Sequence, residues 1–87
     1  MRVFNVYVIF YACIIKCKID GSLYKGSTEN LDLRLKQHNS GKSDYTAKKL
    51  PWELVYSGQF NTGEEALNRV RYFKSAAGRR FIKKLNL

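Results

Sequence analysis

Apolar residues are unevenly placed along this chain. They are continuous near the start, alternate with polar residues in the middle, and recur every three or four positions after residue 63. The first run, VFNVYVIFYACII at 3–15, is broken only by Asn5 and is rich in Val, Ile, Phe and Tyr. Such side chains suit a buried, pleated surface, so the run predicts a long strand over residues 3–17. It is too short to span a bilayer, which takes about 20 apolar residues. Its β-forming composition also argues against a secretory leader, although Arg2 precedes it. Asp20-Gly21 is a hairpin turn signal, and SLYKG at 22–26 reads as the returning strand.

Ser27 and Thr28 offer N-caps to a helix carrying Leu31, Leu33, Leu35 and His38, with Glu29 and Asp32 near its positive end. That helix stops at NSGK, where Gly41 can supply a positive φ. A polar, basic loop, KSDYTAKKLP, leads into WELVYSGQF, a strand in which Trp52, Leu54 and Tyr56 alternate with Glu53, Val55 and Ser57. Thr62 and Glu65 form a capping box. The following helix, to about Ser75, has one apolar stripe of Ala66, Leu67, Val70 and Phe73. AAGRRFIKKLNL predicts a short basic helix after a break near Gly78. The order strand, strand, helix, strand, helix, helix makes an α+β fold with a small antiparallel sheet, and 87 residues make one domain, 1–87.

Charge narrows the choice of partner. The formal net charge is +9 and the pI about 9.8. The 22 residues after Glu65 hold seven Lys or Arg and no acid. Such a field favours polyanions, whether DNA, RNA or an anionic membrane, and nucleic acid rather than membrane is the expected partner. Candidate backbone contacts are Lys25, Lys36, Lys42, Lys48 and Lys49, together with Arg69, Arg71, Arg79 and Arg80. Cys13 and Cys17 are the only cysteines, too few for a four-ligand zinc site; they read as reduced core thiols of a cytoplasmic protein. Oligomeric state leaves no signature.

Chemistry-bearing residues fall in a pattern. A hairpin places Tyr7 and Tyr24 on neighbouring strands, and Gly26 permits close approach of a ligand or backbone. Arg34 and His38 are four apart and share a helix face. Arginine can steady charge on a phosphate, and a tyrosine or histidine can move the proton of an attacking water. Each residue also has a structural account: core tyrosines, a solvated arginine, and a histidine favoured as a cation at a helix C-terminus.

The segments NVYVI, LYKGST, LDLRLKQHNSGK, YTAKKLPWELVY, EEALNRVRYFKS and AGRRFIKKL, in that order, resemble the GIY-YIG nuclease family, most of all its short stand-alone members. The resemblance covers nearly the whole chain. It implies a three-stranded antiparallel sheet flanked by helices and divalent-metal-dependent cleavage of DNA, with Mg²⁺ or Mn²⁺ as cofactor. By resemblance Tyr7 ends the first motif and is the general base or its relay. Tyr24 and Gly26 begin and end the second motif, Tyr24 orienting water or phosphate. Arg34 stabilises the pentacovalent state, and His38 assists proton transfer or binds phosphate.

The chain departs from the family pattern at four places. Asn5 replaces a glycine, Lys25 replaces an apolar residue, and the stretch between the two tyrosines is longer than usual. Val70 stands where the family has its metal-binding glutamate. At roughly 100° per residue neither Glu64 nor Glu65 shares the face of Val70. The resulting expectation is an endonuclease with an impaired metal site; the alternatives are an inactive DNA-binding module of the same fold or an RNA-binding accessory protein.

Overall fold

The computed structural model describes residues 8–40 and 51–87. Strands β1 (Phe10–Cys17) and β2 (Leu23–Thr28) precede helix α1 (Leu31–Asn39). Strand β3 (Trp52–Phe60) is followed by helices α2 (Gly63–Lys74) and α3 (Ala76–Leu85). The element order is the expected one, and the strands form one antiparallel sheet in the order β2-β1-β3.

The apolar run became the central strand because both faces of β1 are covered. Ala12 and Ile14 point to one face, where they pack with Val70, Phe73 and Ile82 of α2 and α3. Ile15 and Cys17 point to the other, where they pack with Trp52, Tyr24 and, from α1, Leu35. Cys13 and Cys17 are both buried. Strand β1 begins later than the expected residue 3, for want of partners. Tyr11 already pairs with Thr28, the last residue of β2, and Phe10 with Phe60, the last of β3. Val8 and Ile9 are therefore outside the strand and exposed; residues 3–7 lie outside the described residues.

The hairpin turns where expected. Gly21 has φ +77°, and Asp20 Oδ1 accepts from the Ser22 amide at 2.9 Å and from its hydroxyl at 2.6 Å. Strand β2 runs on past Gly26, so Ser27 and Thr28 are ladder residues rather than caps. The cap of α1 is Asn30, whose Oδ1 accepts from the Leu33 amide at 3.0 Å, and Thr28 Oγ1 in turn accepts from the Asn30 amide at 3.1 Å. The helix ends at Asn39, as NSGK predicts; Gly41 lies outside the described residues. Asn39 then fastens α1 to the sheet. Its side-chain amide donates to the Trp52 carbonyl at 3.1 Å and its Oδ1 accepts from the Trp52 amide at 2.7 Å, the bonding pattern of a strand neighbour.

Three details depart from the periodic reading. The alternation expected in β3 fails at a bulge: Ile14 faces Tyr56 but Ile15 faces Leu54, leaving Val55 as the extra residue. The extra residue reverses the strand's faces, so Trp52 packs under α1 while Tyr56 packs under α2 and α3. On α2, Ala66, Val70 and Phe73 are buried as the stripe predicts, but Leu67 is 42% exposed because the sheet covers only the narrower stripe. The last break falls at Ser75 rather than Gly78. Ser75 Oγ donates to the Tyr72 carbonyl at 2.5 Å and accepts from the Gly78 amide at 3.1 Å, closing one helix and opening the next. Gly78 is buried in the first turn of α3, where a Cβ would collide with the Tyr72 carbonyl and the Phe73 backbone. Thr62 caps α2 as expected, with Oγ1 accepting from the Glu65 amide at 3.1 Å, but the Glu65 carboxylate accepts from the Thr62 hydroxyl, at 3.0 Å.

Candidate functional site

Strand alternation carries Tyr24 and Gly26 of β2 and Cys13 of β1 to the face covered by α1. Cys13 lies opposite Gly26, and Ile15 opposite Tyr24. Helix α1 crosses this face with Arg34 and His38 one turn apart. The His38 ring is 2% exposed and sits 4.8 Å from the Tyr24 ring, centroid to centroid, at an interplanar angle of 58°. The Trp52 indole meets Tyr24 edge-on at 6.5 Å. Gly26 leaves room for this arrangement, since a Cβ there would come within 3.3 Å of the Tyr24 ring.

Burial and Arg34 set the protonation of the cluster. Burial, and then the Arg34 charge, push the His38 pKa down, so the imidazole is neutral at neutral pH. The helix C-terminus, which favours a cation, is outweighed. Burial pushes the Cys13 thiol up, opposed by Arg34 and by a hydrogen bond from the Gly26 backbone. Arg34 is half-buried, and its Nε–H is buried with no hydrogen-bond partner among the described residues. A neutral imidazole beside an arginine can accept a proton while the guanidinium holds an anion.

His38 makes stability pH-dependent. Its folded-state pKa lies below the ordinary 6.5, so below that value the unfolded chain binds more protons than the folded one. The stabilisation is present above the unfolded pKa and is lost progressively as pH falls from there through the lower folded-state pKa. The melting temperature is expected to fall between about pH 7 and pH 5, and to fall less in His38→Gln. An undiminished fall in that variant would locate the titration elsewhere.

Of the residues singled out by sequence, Tyr24, Gly26, Arg34 and His38 come together. Tyr7 lies outside the described residues. The register gives Tyr24 the partner Ile15. The β1 side chain that feels the Arg34 charge is Cys13, which sequence reading assigned to the core alone; the pairing register is the signal that finds it. Lys42, Lys48 and Lys49 lie outside the described residues. Lys36 is exposed on α1, while Arg79 and Arg80 are exposed on α3. Arg69 lies over the Tyr72, Phe81 and Phe73 rings at 4.7, 5.1 and 5.3 Å, and Arg71 donates to Asn68 Oδ1 at 2.9 Å. Lys25 faces α2 and α3, away from His38. Among the described residues the one ion pair is Lys18–Glu53 at 3.9 Å.

The described residues do not fit a bound divalent metal. Val70 is 4% exposed and packed among Ala12, Ile14, Phe73 and Ile82, on the sheet face opposite His38. No group of three or more His, Cys, Asp or Glu that could hold a metal ion occurs among the described residues. No helix among them is long and apolar enough to cross a membrane.

Comparison with known proteins agrees with this architecture. The family model for the GIY-YIG catalytic domain matches residues 5–86. A UPF0213 protein of Bacillus licheniformis is 46% identical over 65 residues, covering 74% of this chain and 66% of that protein, so the match spans just under two thirds of that relative. A UPF0213 protein of Staphylococcus saprophyticus is 39% identical over 74 residues, covering 84% of this chain and 89% of the relative. The solution NMR structure of a UPF0213 protein from Bacillus halodurans matches with a TM-score of 0.52 at 36% identity, covering 88% of this chain and 84% of that one. With its sheet order, its helices and nearly its whole length matched, the chain belongs to the GIY-YIG family.

Proposed function

We propose that this chain is a DNA-binding protein of nuclease fold, in which Arg34, with Tyr24 and His38, engages a backbone phosphodiester and metal-assisted hydrolysis is impaired. The observation that carries this reading is the buried, unpartnered Nε–H of Arg34 beside a neutral His38. An unsatisfied buried donor costs about 1–3 kcal/mol. A phosphate oxygen is an acceptor that removes this cost once the half-buried side chain turns outward, and guanidinium geometry then matches it in two-point contact. His38, uncharged, is able to take a proton from a water or hydroxyl at that phosphate. Tyr24, held against His38, orients the bound group. Impairment follows from Val70, since a bound metal supplies several kcal/mol of transition-state stabilisation and valine cannot anchor one. The expected Mg²⁺ or Mn²⁺ therefore has no assigned place in this reading.

The test is a fluorescence-anisotropy titration of a short labelled DNA duplex at several salt concentrations. Affinity is expected to fall steeply with salt, because each neutralised phosphate releases counterion. Arg34→Ala is expected to weaken binding by about tenfold, in line with a charged hydrogen bond. Affinity indifferent to salt, or an Arg34→Ala variant that binds like the parent, would sink the reading.

A further inference from the structure

The β2 edge of the sheet carries a second feature, which shares only Tyr24 with the Arg34 cluster. At the open edge of β2, a cleft of about 220 Å³ is lined by Leu23, Tyr24, Lys25 and Lys74. Lys25 comes from the middle of β2, and Lys74 ends α2, one turn beyond Val70. Arg79 is close enough that its charge, with that of Lys74, acts on the Lys25 ammonium. Burial first, and then those two cations, push the Lys25 pKa down.

Nothing among the described residues compensates this crowding. No acid occurs after Glu65, and the one ion pair, Lys18–Glu53, involves none of these three residues. Arg79 also sits in the first turn of α3, which contains no acid. A helix N-terminus favours negative charge, so a cation there adds to the repulsion. A fixed ammonium can hold a phosphate as a bound metal would, but it cannot generate a hydroxide from water as a metal does.

We propose that this cleft docks a nucleic-acid backbone phosphate through Lys25, Lys74 and Arg79, without a metal ion. The proposal rests on the nucleic-acid reading above and adds a second contact point on the other face of the sheet edge. Three cations that repel one another in the free protein share one anion when bound.

The experiment compares the parent with Lys25→Ala, Lys74→Ala, Lys74→Arg and, as a control at the far end of α3, Lys83→Ala. Binding to a labelled DNA duplex and to an RNA duplex of equal length is measured in EDTA, across a salt series. Lys25→Ala and Lys74→Ala are each expected to weaken binding by about five- to tenfold and to reduce the log–log salt slope by about one. Lys74→Arg should retain parental affinity, Lys83→Ala should change it by less than about twofold, and replacing EDTA by Mg²⁺ should not strengthen binding. Melting temperatures at or above that of the parent would show that removing a crowded cation has not harmed the fold. Equal losses on DNA and RNA would support recognition of the shared phosphate; a loss confined to RNA would overturn the DNA reading while leaving the cleft as the RNA contact. Parental affinity in both alanine variants would overturn the cleft and leave nucleic-acid binding standing. A parent that binds neither duplex would overturn both.

Discussion

Gly78→Ala is expected to destabilise the fold by about 3 kcal/mol or more, although it adds a single methyl group. The reason lies in how α2 meets α3. Ser75 closes α2 on the Tyr72 carbonyl and caps α3 at Gly78, so the chain folds back sharply and Gly78 lies against the end of α2. The obstacle to a Cβ is the backbone of Tyr72 and Phe73, not a side chain that could turn aside. Relief requires moving the two helices apart, and that opens the packing of Phe73 against Phe81, whose rings are stacked at 6.4 Å. A domain of this size has only modest stability to lose. Urea unfolding checks the prediction, with Ala77→Gly as comparison: Ala77 is exposed in the same helix, and its loss should cost about 1 kcal/mol through propensity alone. A Gly78→Ala midpoint at or above that of Ala77→Gly would show that the corner is more yielding than the geometry implies.

Val70→Glu is expected to cost roughly 3–5 kcal/mol at neutral pH, as for an unpaired charge placed in a core. Val70 is buried among Ala12, Ile14, Phe73 and Ile82, and none of these neighbours can pair with a carboxylate. Burial would raise the pKa of the new glutamate, so the penalty should ease as pH falls and the side chain becomes neutral. The variant is not expected to gain metal-dependent cleavage. Its carboxylate would enter on the sheet face away from Arg34 and His38, and no prepared set of further ligands awaits it among the described residues. Equilibrium unfolding at neutral and acidic pH, together with plasmid nicking in Mn²⁺, checks both parts. A stable variant that nicks DNA only with metal would show that valine was the sole obstacle to activity.

The order of elements was legible because each had a strong local signal. Asp20-Gly21 marked the hairpin, Thr62 and Glu65 the start of α2, and the apolar run the central strand. What escaped were features fixed by pairing between distant segments. The bulge at Val55 depends on how β3 meets β1, and strand periodicity alone carries no sign of it. Asn30 displaced Ser27 and Thr28 as the cap because β2 continues two residues further along β1 than its composition suggested. The clamp of Asn39 on Trp52 joins residues 13 apart through a side chain that imitates a strand.

The site divides in the same way. Arg34 and His38 were readable from helical spacing, and Tyr24 with Gly26 from the motif. The neutrality of His38 was not readable, since it depends on burial beneath α1. Cys13 entered the cluster only once the β1–β2 register was known. Lys74, absent from the basic positions chosen by sequence, acquires significance because α2 ends beside the edge of β2.

The central claim is that a nuclease fold has kept its grip on the phosphodiester and lost the means to hold a metal. Incubation of supercoiled plasmid with the protein and its Arg34→Ala variant, in Mn²⁺ and in EDTA, tests it most directly. The account predicts that the parent shifts the plasmid in both conditions and nicks it no faster than Arg34→Ala in either. Nicking that requires Mn²⁺ and disappears with Arg34→Ala would contradict it.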